Sequence, residues 1–301
     1  MDAAVGREGL TPASAARAMT TVCGQVGLDS RQAKLLRLGE NAIYALPPEG
    51  VVIRIARSDA ADNHERVDKE LAVSRWLTSQ KFPAARLRED LPQPMSADGR
   101  LITFWEYVPP SSVQPHLTDL ASLLRAFHAL PAPGFDVAVL NPFPIMQSRL
   151  AHAERIDPRD VEFLTEACNR ARSAFTTIVM DKQRGVIHGD AHRGNLLVRD
   201  GQVLLIDYEA VAVGPRAWDL IPTATAMDRF GLSRPDYEAF CRTYGCDVTD
   251  WHGYETLRSV RELGMTTWLM QNAQSGKAAE EFALRMQSLR EEDRERQWHA
   301  L

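Results

Sequence analysis

Three polar side chains in the stretch VIHGDAHRGNLLVRDGQVLLIDYE, residues 186–209, have the types and spacing of a reactive centre. They are Asp190, Asn195 five residues on, and Asp207 twelve beyond that. Two apolar runs, 195–198 and 202–206, flank Asp200-Gly201, a dipeptide that supplies the positive φ angles of a tight hairpin turn. Pairing Arg199 with Gln202 brings Asn195 opposite Ile206 and Gly194 opposite Asp207. The Asn195 amide and the Asp207 carboxylate then emerge as neighbours at the open end of a hairpin. Asp190 lies in the loop that feeds the first strand. Two carboxylates and an amide oxygen are hard ligands with no soft partner, a set that suits magnesium held jointly with a substrate's phosphates. That chemistry is phosphoryl transfer, in which a protein supplies metal ligands, positioning and a carboxylate to accept a hydroxyl proton.

Two other readings of the stretch stand beside this one. An isolated Asp and Asn at the ends of a hairpin serve equally well as turn formers or caps; three such residues in one loop-strand-turn-strand context narrow the choice. The alternation His188-Gly189-Asp190-Ala191-His192 also offers ligands to a transition metal, as in a metal-dependent hydrolase. No second cluster of histidines and carboxylates stands elsewhere in the sequence. His188 therefore reads as a brace for the loop, and His192 as exposed or just outside the reactive set.

His188-Gly189-Asp190, Asn195 and Asp207-Tyr208-Glu209 resemble the catalytic loop and metal-binding segment of the aminoglycoside phosphotransferase and choline kinase group, relatives of the protein kinases. The resemblance implies an α+β, two-lobed protein-kinase-like fold: a small β-rich nucleotide-binding lobe over 1–107 and a larger, mainly helical lobe over 108–301 that holds the hairpin. It implies Asp190 as catalytic base and Asn195 and Asp207 as ligands of Mg2+, with Glu209 assisting through hydrogen bonds around them. ATP or GTP is the implied co-substrate. The implied acceptor is a hydroxyl on a small molecule, cationic or not, such as an aminoglycoside, an amino alcohol or a sugar. A protein acceptor is disfavoured, because the Asp-Phe-Gly and Ala-Pro-Glu segments that frame an activation loop are missing.

The elements that must carry these residues follow in order. Thr11 as cap, Pro12 in the first turn and the stripe Ala15, Ala18, Met19, Val22, Val26 predict a helix ending near Gly27. Residues 35–46 read as strand, turn, strand; by resemblance this is the loop that covers the nucleotide, with the single glycine Gly39. Val51-Val52-Ile53-Arg54-Ile55-Ala56 is a β-branched strand with one cation in its middle, which needs a neutralising partner. The helix predicted over 62–79 buries Val67, Leu71, Ser74 and Leu77, and places Glu70 within reach of that cation, with Glu65 as the alternative. The resemblance implies that Arg54 also touches nucleotide phosphates. Most kinases have lysine there, and arginine differs in reach and donor geometry. That departure, with the glycine-poor loop, keeps a nucleotide-binding scaffold without turnover as the second reading.

A hairpin around Asp98-Gly99 leads into the strand 101–108, which Pro109-Pro110 stop as a hinge would require. By resemblance the backbone of Trp105 to Val108 meets the base, with Trp105 and Tyr107 beside it. Leu117–Leu130 reads as a buried helix on which His128 is a packing or bracing residue, and 160–178 as a long amphipathic helix. In the segment 214–221 the resemblance gives Asp219 a supporting role, holding the catalytic loop by its backbone amides. Helices are predicted over 235–244, 254–273 and 278 to the end. Met265 and Trp268 are assigned to the core there, and 291–296 to a solvated helix face, with an acidic wall for polyamine-like sugars as the alternative.

Composition limits the classes. With 301 residues, 45% hydrophobic and 25% charged, the chain has room for two lobes and a substantial core. A net charge of −5 argues against a nucleic-acid partner and permits a cationic substrate. Cys23, Cys168, Cys241 and Cys246 show no zinc spacing, which fits reduced thiols in the cytoplasm. No signal segment and no run of eighteen apolar residues is found, so neither secretion nor a membrane span is expected.

Overall fold

Capping decides where the first helix begins. In the computed structural model, which describes residues 10–58, 60–178 and 184–300, α1 spans Pro12–Val26. The Ser14 N–H donates to Thr11 Oγ1 at 3.1 Å, and the Thr11 N–H donates to Ser14 Oγ at 3.0 Å. Gly27 ends the helix in the left-handed region, φ 74°. Ala15, Ala18, Met19 and Val22 are buried together with Tyr44, Ile53 and Phe104 of a sheet. Each large side chain so placed contributes roughly 1.5–3 kcal/mol.

That sheet is antiparallel with order β1-β2-β3-β5-β4: β1 Lys34–Leu38, β2 Ala42–Leu46, β3 Val51–Ile55, β4 Met95–Ala97 and β5 Arg100–Glu106. The β4–β5 turn sets Asp98 and Gly99 at φ 50° and 67°, as its Asp-Gly sequence demands. β3 buries Val51, Ile53 and Ile55 on one face, and on the other face Val52 and Arg54 are half-buried. Helix α2, Ala61–Ser79, buries Glu70, Leu71, Ser74 and Leu77.

Contact density separates the chain into two units, Met1–Pro115 with Pro133–Phe135 and Asn195–Glu209, and His116–Ala132 with Asp136–Gly194 and Ala210–Leu301. The hairpin 195–209 thus groups with the N-terminal sheet, where chain order alone had put it with the helices. Its second strand explains the grouping: the Leu205 N–H donates to Pro83 O at 3.0 Å, and the Ala85 N–H to Leu205 O at 2.9 Å. The Tyr208 hydroxyl, fully buried, lies 2.7 Å from Leu205 O and 3.1 Å from Ala85 O.

The second unit is mainly helical. It comprises α3 Leu117–His128, α4 Phe143–Ala151, α5 Pro158–Ile178 and an antiparallel pair, β6 Arg184–Ile187 with β9 Ala212–Pro215. Between β6 and β9 the chain passes through the first unit's hairpin, β7 Leu196–Arg199 and β8 Gln202–Leu205. Helices α6 Ile221–Arg229, α7 Arg234–Tyr244, α8 Tyr254–Met270 and α9 Gly276–Arg290 follow. α3 packs on α7, and α8 on α4, α5, α6 and α9. The fold is α+β, as expected.

The expected helix to the chain end stops at Arg290, and Leu301 lies outside the described residues, as do the first nine. Residues 291–300 instead form a non-helical strap. Arg229 Nη1 donates to the carbonyls of Asp293 and Arg296 at 2.7 and 3.0 Å, and the Trp298 N–H donates to Arg229 O at 2.6 Å. Trp298 is buried with the Arg229 guanidinium 4.5 Å from its ring centroid. The strap departs from a helix because buried Arg229 takes its carbonyls. Among the described residues no helix is long and apolar enough to cross a membrane.

Candidate active site

The hairpin has the register expected of it. Arg199 pairs with Gln202 and Leu196 with Leu205, and the Ile206 N–H donates to Asn195 O at 3.0 Å. Asp200 and Gly201 form the turn at φ 52° and 78°. Asn195 is buried, and Asp207, half-buried, follows the opposite strand with φ 67°. A non-glycine residue held in the left-handed region is strained, a condition that concentrates at functional positions. Among the described residues the Asp207 carboxylate has no hydrogen-bond donor. A half-buried carboxylate without a donor, one residue beyond the position paired with Asn195, has the hard-oxygen chemistry that fits a divalent cation such as magnesium.

In the same unit Arg54 finds the partner that helix periodicity assigned, and a second that it missed. Arg54 Nη1 donates to Glu70 Oε1 at 2.5 Å, and Nη2 to Glu209 Oε1. Glu65 takes no part. Glu209 is held further by the Asn41 side chain, which donates to Oε1 at 3.0 Å, and by Arg66 at 3.8 Å. The Lys69 ammonium donates to the Glu209 carbonyl. Glu209, expected beside the metal ligands, is thus bound to the cation of β3. Burial outweighs the pull of Arg54 and leaves the Glu70 carboxyl raised to about 7. Burial works against the Arg54 charge, but Glu70, Glu209 and Asp207 together hold it more firmly than usual.

The remaining residues assigned to the nucleotide divide. Gly39 sits in the β1–β2 turn, where an added Cβ would meet only Arg37 Nε at 3.9 Å; its own backbone does not require glycine. Trp105 belongs to the core: it is 8% exposed, its ring centroid is 6.0 Å from that of Tyr208, and its N–H donates to Thr103 Oγ1. The Glu106 N–H donates to Arg86 O, and the Tyr107 N–H to Gly50 O, so these two amides are used within the unit.

Asp190 lies in the second unit, in a loop fixed by its backbone. The Asp219 carboxylate, fully buried, accepts from the amides of His188 at 2.7 Å and Gly189 at 2.8 Å. His128 Nε2 lies 2.9 Å from Asp219 Oδ2, and its Nδ1 lies 2.8 Å from the Tyr244 hydroxyl. The Trp218 N–H takes the Gly189 carbonyl at 2.8 Å. Gly189 itself is obligatory: φ is 86°, and a Cβ there would stand 2.0 Å from the carbonyl oxygen of Ala210. His188 is buried, with Nδ1 facing the Asp190 N–H at 3.4 Å, so it braces the loop.

The Asp190 side chain, 41% exposed, meets two nitrogen bases: His192 Nε2 at 3.5 Å and Arg261 Nη1 at 3.2 Å. Burial pushes its carboxyl up, but the His192 hydrogen bond and the Arg261 charge more than offset this, holding it well below the usual carboxylate range. Arg261, on α8, was not singled out in the sequence. The available signal was an arginine at the head of the surface stripe Arg261, Met265, Trp268. Trp268, assigned to the core, is 47% exposed. Among the described residues no group of three or more His, Cys, Asp or Glu side chains converges as a metal site.

A family model described as phosphotransferase enzyme family matches residues 39–259. The chain belongs to that family. It is a phosphotransferase acting on a hydroxyl acceptor of a small molecule. Comparison with curated proteins gave no match. Among solved structures, an amicoumacin kinase in complex with AMP-PNP, Ca2+ and Ami is similar, with TM-score 0.72 and 13% identity over 94% of this chain and 96% of that one. A microcompartment-associated aminopropanol kinase gives 0.67 and 18% over 91% and 99%. An aminoglycoside phosphotransferase from Streptomyces rimosus gives 0.59 and 16% over 82% and 97%. At these identities the likeness shows that this phosphotransferase shares their kinase-like fold.

Proposed function

We propose that this phosphotransferase moves the γ-phosphoryl group of ATP or GTP to a hydroxyl of a small molecule, with Asp190 as catalytic base. The observation that supports this most directly is the Asp219 clamp on the amides of His188 and Gly189, which fixes the backbone beside an ionised Asp190. The transition state of such a transfer is loose, so most of the work is positioning and charge stabilisation. Asp190 accepts the proton of the attacking hydroxyl as its oxygen approaches phosphorus. Arg54, oriented by Glu70, holds nucleotide phosphates. Asn195 and Asp207 would hold Mg2+, which when bound neutralises charge developing on the phosphates. AMP-PNP in the amicoumacin kinase complex supports a nucleoside triphosphate as donor.

The test is Mg2+-dependent ADP or GDP release across pooled aminoglycosides, amino alcohols, sugars and hydroxy acids. A signal confined to particular pools and lost in Asp190→Ala is the expected result. A second reading, a nucleotide-binding scaffold without turnover, is favoured by the double engagement of Arg54 by Glu70 and Glu209. It predicts thermal stabilisation by nucleotide with no phosphorylated product in any pool.

A further inference from the structure

The surface next to Asp190 carries arginine where a site for polyamines would carry carboxylates. Arg261, Gly264, Met265 and Trp268 are spaced i, i+3, i+4 and i+7, so they share one face of α8. Arg261 stands at one end against Asp190, and the exposed Trp268 indole lies seven residues on, about 10.5 Å along the axis. A second cation joins this face from α4: Arg149 Nη1 donates to the Gly264 carbonyl at 3.2 Å.

Every carboxylate of α8 is already engaged. Glu255 pairs with Arg294 at 2.8 Å, and Glu262 is buried between Arg229 and Arg258. Helix α4, PheProIleMetGlnSerArgLeuAla in sequence, has no acidic residue. In the strap, Glu291 and Asp293 are paired with Arg296, whereas Glu292 and Glu295 form no ion pair among the described residues. A polycationic acceptor laid along this face would meet the like charge of Arg261 and Arg149, and no free carboxylate of α8 or α4.

Arg261 is also underused. Among the described residues only its Nη1 has a partner, Asp190 Oδ1, and its Nε is buried with none. A buried donor left unmade is costly, and a guanidinium presents a fork of donors that matches an anionic group bidentately. The pair with Asp190 further sets the cation on the very carboxylate that must take a proton.

We infer that Arg261 is a specificity-determining residue that takes an anionic oxygen group of the acceptor, a carboxylate or a phosphate ester, and in doing so releases Asp190 for the hydroxyl. The inference rests on the kinase reading above and names its substrate class: small hydroxy acids or phosphorylated alcohols with an apolar portion to lie along Met265 and Trp268. An amine at that position leaves Arg261 on Asp190 and adds a repelling charge.

The experiment uses the full chain, ATP and Mg2+, and matched acceptors that differ in one group: a hydroxy acid, its phosphate-ester counterpart, and the corresponding amino alcohol. The expected result is a kcat/KM at least 100-fold higher for one of the two anionic members than for the amino alcohol. The better anion identifies the group. In Arg261→Gln this ratio falls at least 30-fold, and in Arg261→Lys by less, because the charge is kept and the fork lost. A ratio measured within one preparation does not depend on how much of the variant is folded.

Preference for amino alcohols or aminoglycosides in the wild type, with turnover abolished by Asp190→Ala, overturns the inference and leaves the kinase reading standing. An Arg261→Gln loss that appears as the same rise in nucleotide KM with every acceptor also overturns it, assigning Arg261 to the γ-phosphate. Silence with all members and all nucleotides defeats the kinase reading, and the inference with it.

Discussion

Arg54 and Asp190 are charge-inverted versions of one arrangement. Arg54 is a cation held by two carboxylates, Glu70 and Glu209; Asp190 is a carboxylate held by a guanidinium and an imidazole. They differ in water. The Arg54 side chain is 16% exposed and its Glu70 partner 3%, whereas Asp190 is 41% exposed and Arg261 24%. A buried pair cannot lose one member without stranding the other, while an exposed pair is screened and can exchange partners. The first centre is therefore built for permanence and the second for replacement of one partner by substrate.

That contrast can be broken by measurement. The largest effect is expected from Asp190→Asn, which removes the base: kcat for phosphoryl transfer falls about 10²–10⁴-fold, while thermal melting stays close to wild type. A variant that melts much earlier would show that the carboxylate is structural. Next comes Glu70→Ala, which leaves a buried guanidinium with one partner and costs about 3 kcal/mol in urea unfolding; Arg261→Gln in the same assay costs less than about 1 kcal/mol. Equal losses would erase the distinction between the two centres.

Asp219→Ala is expected to cost about 2–3 kcal/mol, since the amides of His188 and Gly189 lose their acceptor in a dry site. It also lowers kcat through the displaced loop. The smallest effect is on pH dependence. Because Arg261 and His192 hold the Asp190 carboxyl below its ordinary range, the base stays ionised down to acid pH and activity is lost only as pH falls through that depressed value. Arg261→Gln weakens the depression, so the acid limb of kcat/KM moves to higher pH. An unmoved limb would mean that the titrating group is not Asp190.

The parts legible in the sequence were those fixed by local rules. The Asp-Gly turns, the Thr11 cap, the Gly27 stop and the register from Arg199–Gln202 back to Asn195 depend only on residues close in the chain. Helix periodicity placed Glu70 opposite Arg54 for the same reason. Partnerships set by packing stayed hidden. Glu209 turns to Arg54, 155 residues away, and Arg261 reaches Asp190, 71 residues away. Nothing in either local pattern selects among the many carboxylates and cations at such separations. The side chain of Trp105 could not be placed from pattern, because a strand aromatic reads alike whether it faces a ligand or, as here, lies beside Tyr208. The strap failed for a different reason: its charges suit a solvated helix, and only the buried Arg229 dictates otherwise.

The strap also has a consequence during synthesis. The carbonyls that satisfy Arg229 belong to Asp293 and Arg296, and the indole beneath its guanidinium belongs to Trp298. A ribosome therefore completes α6 and α8, with their Arg229–Glu262 and Arg258–Asp228 pairs, before the strap carbonyls that fill the remaining donors have been made. The helical unit can close fully around Arg229 only once residue 298 has been made, and a chain cut short at Arg290 would leave Arg229 Nη1 without its two carbonyl acceptors while Nε keeps Glu262.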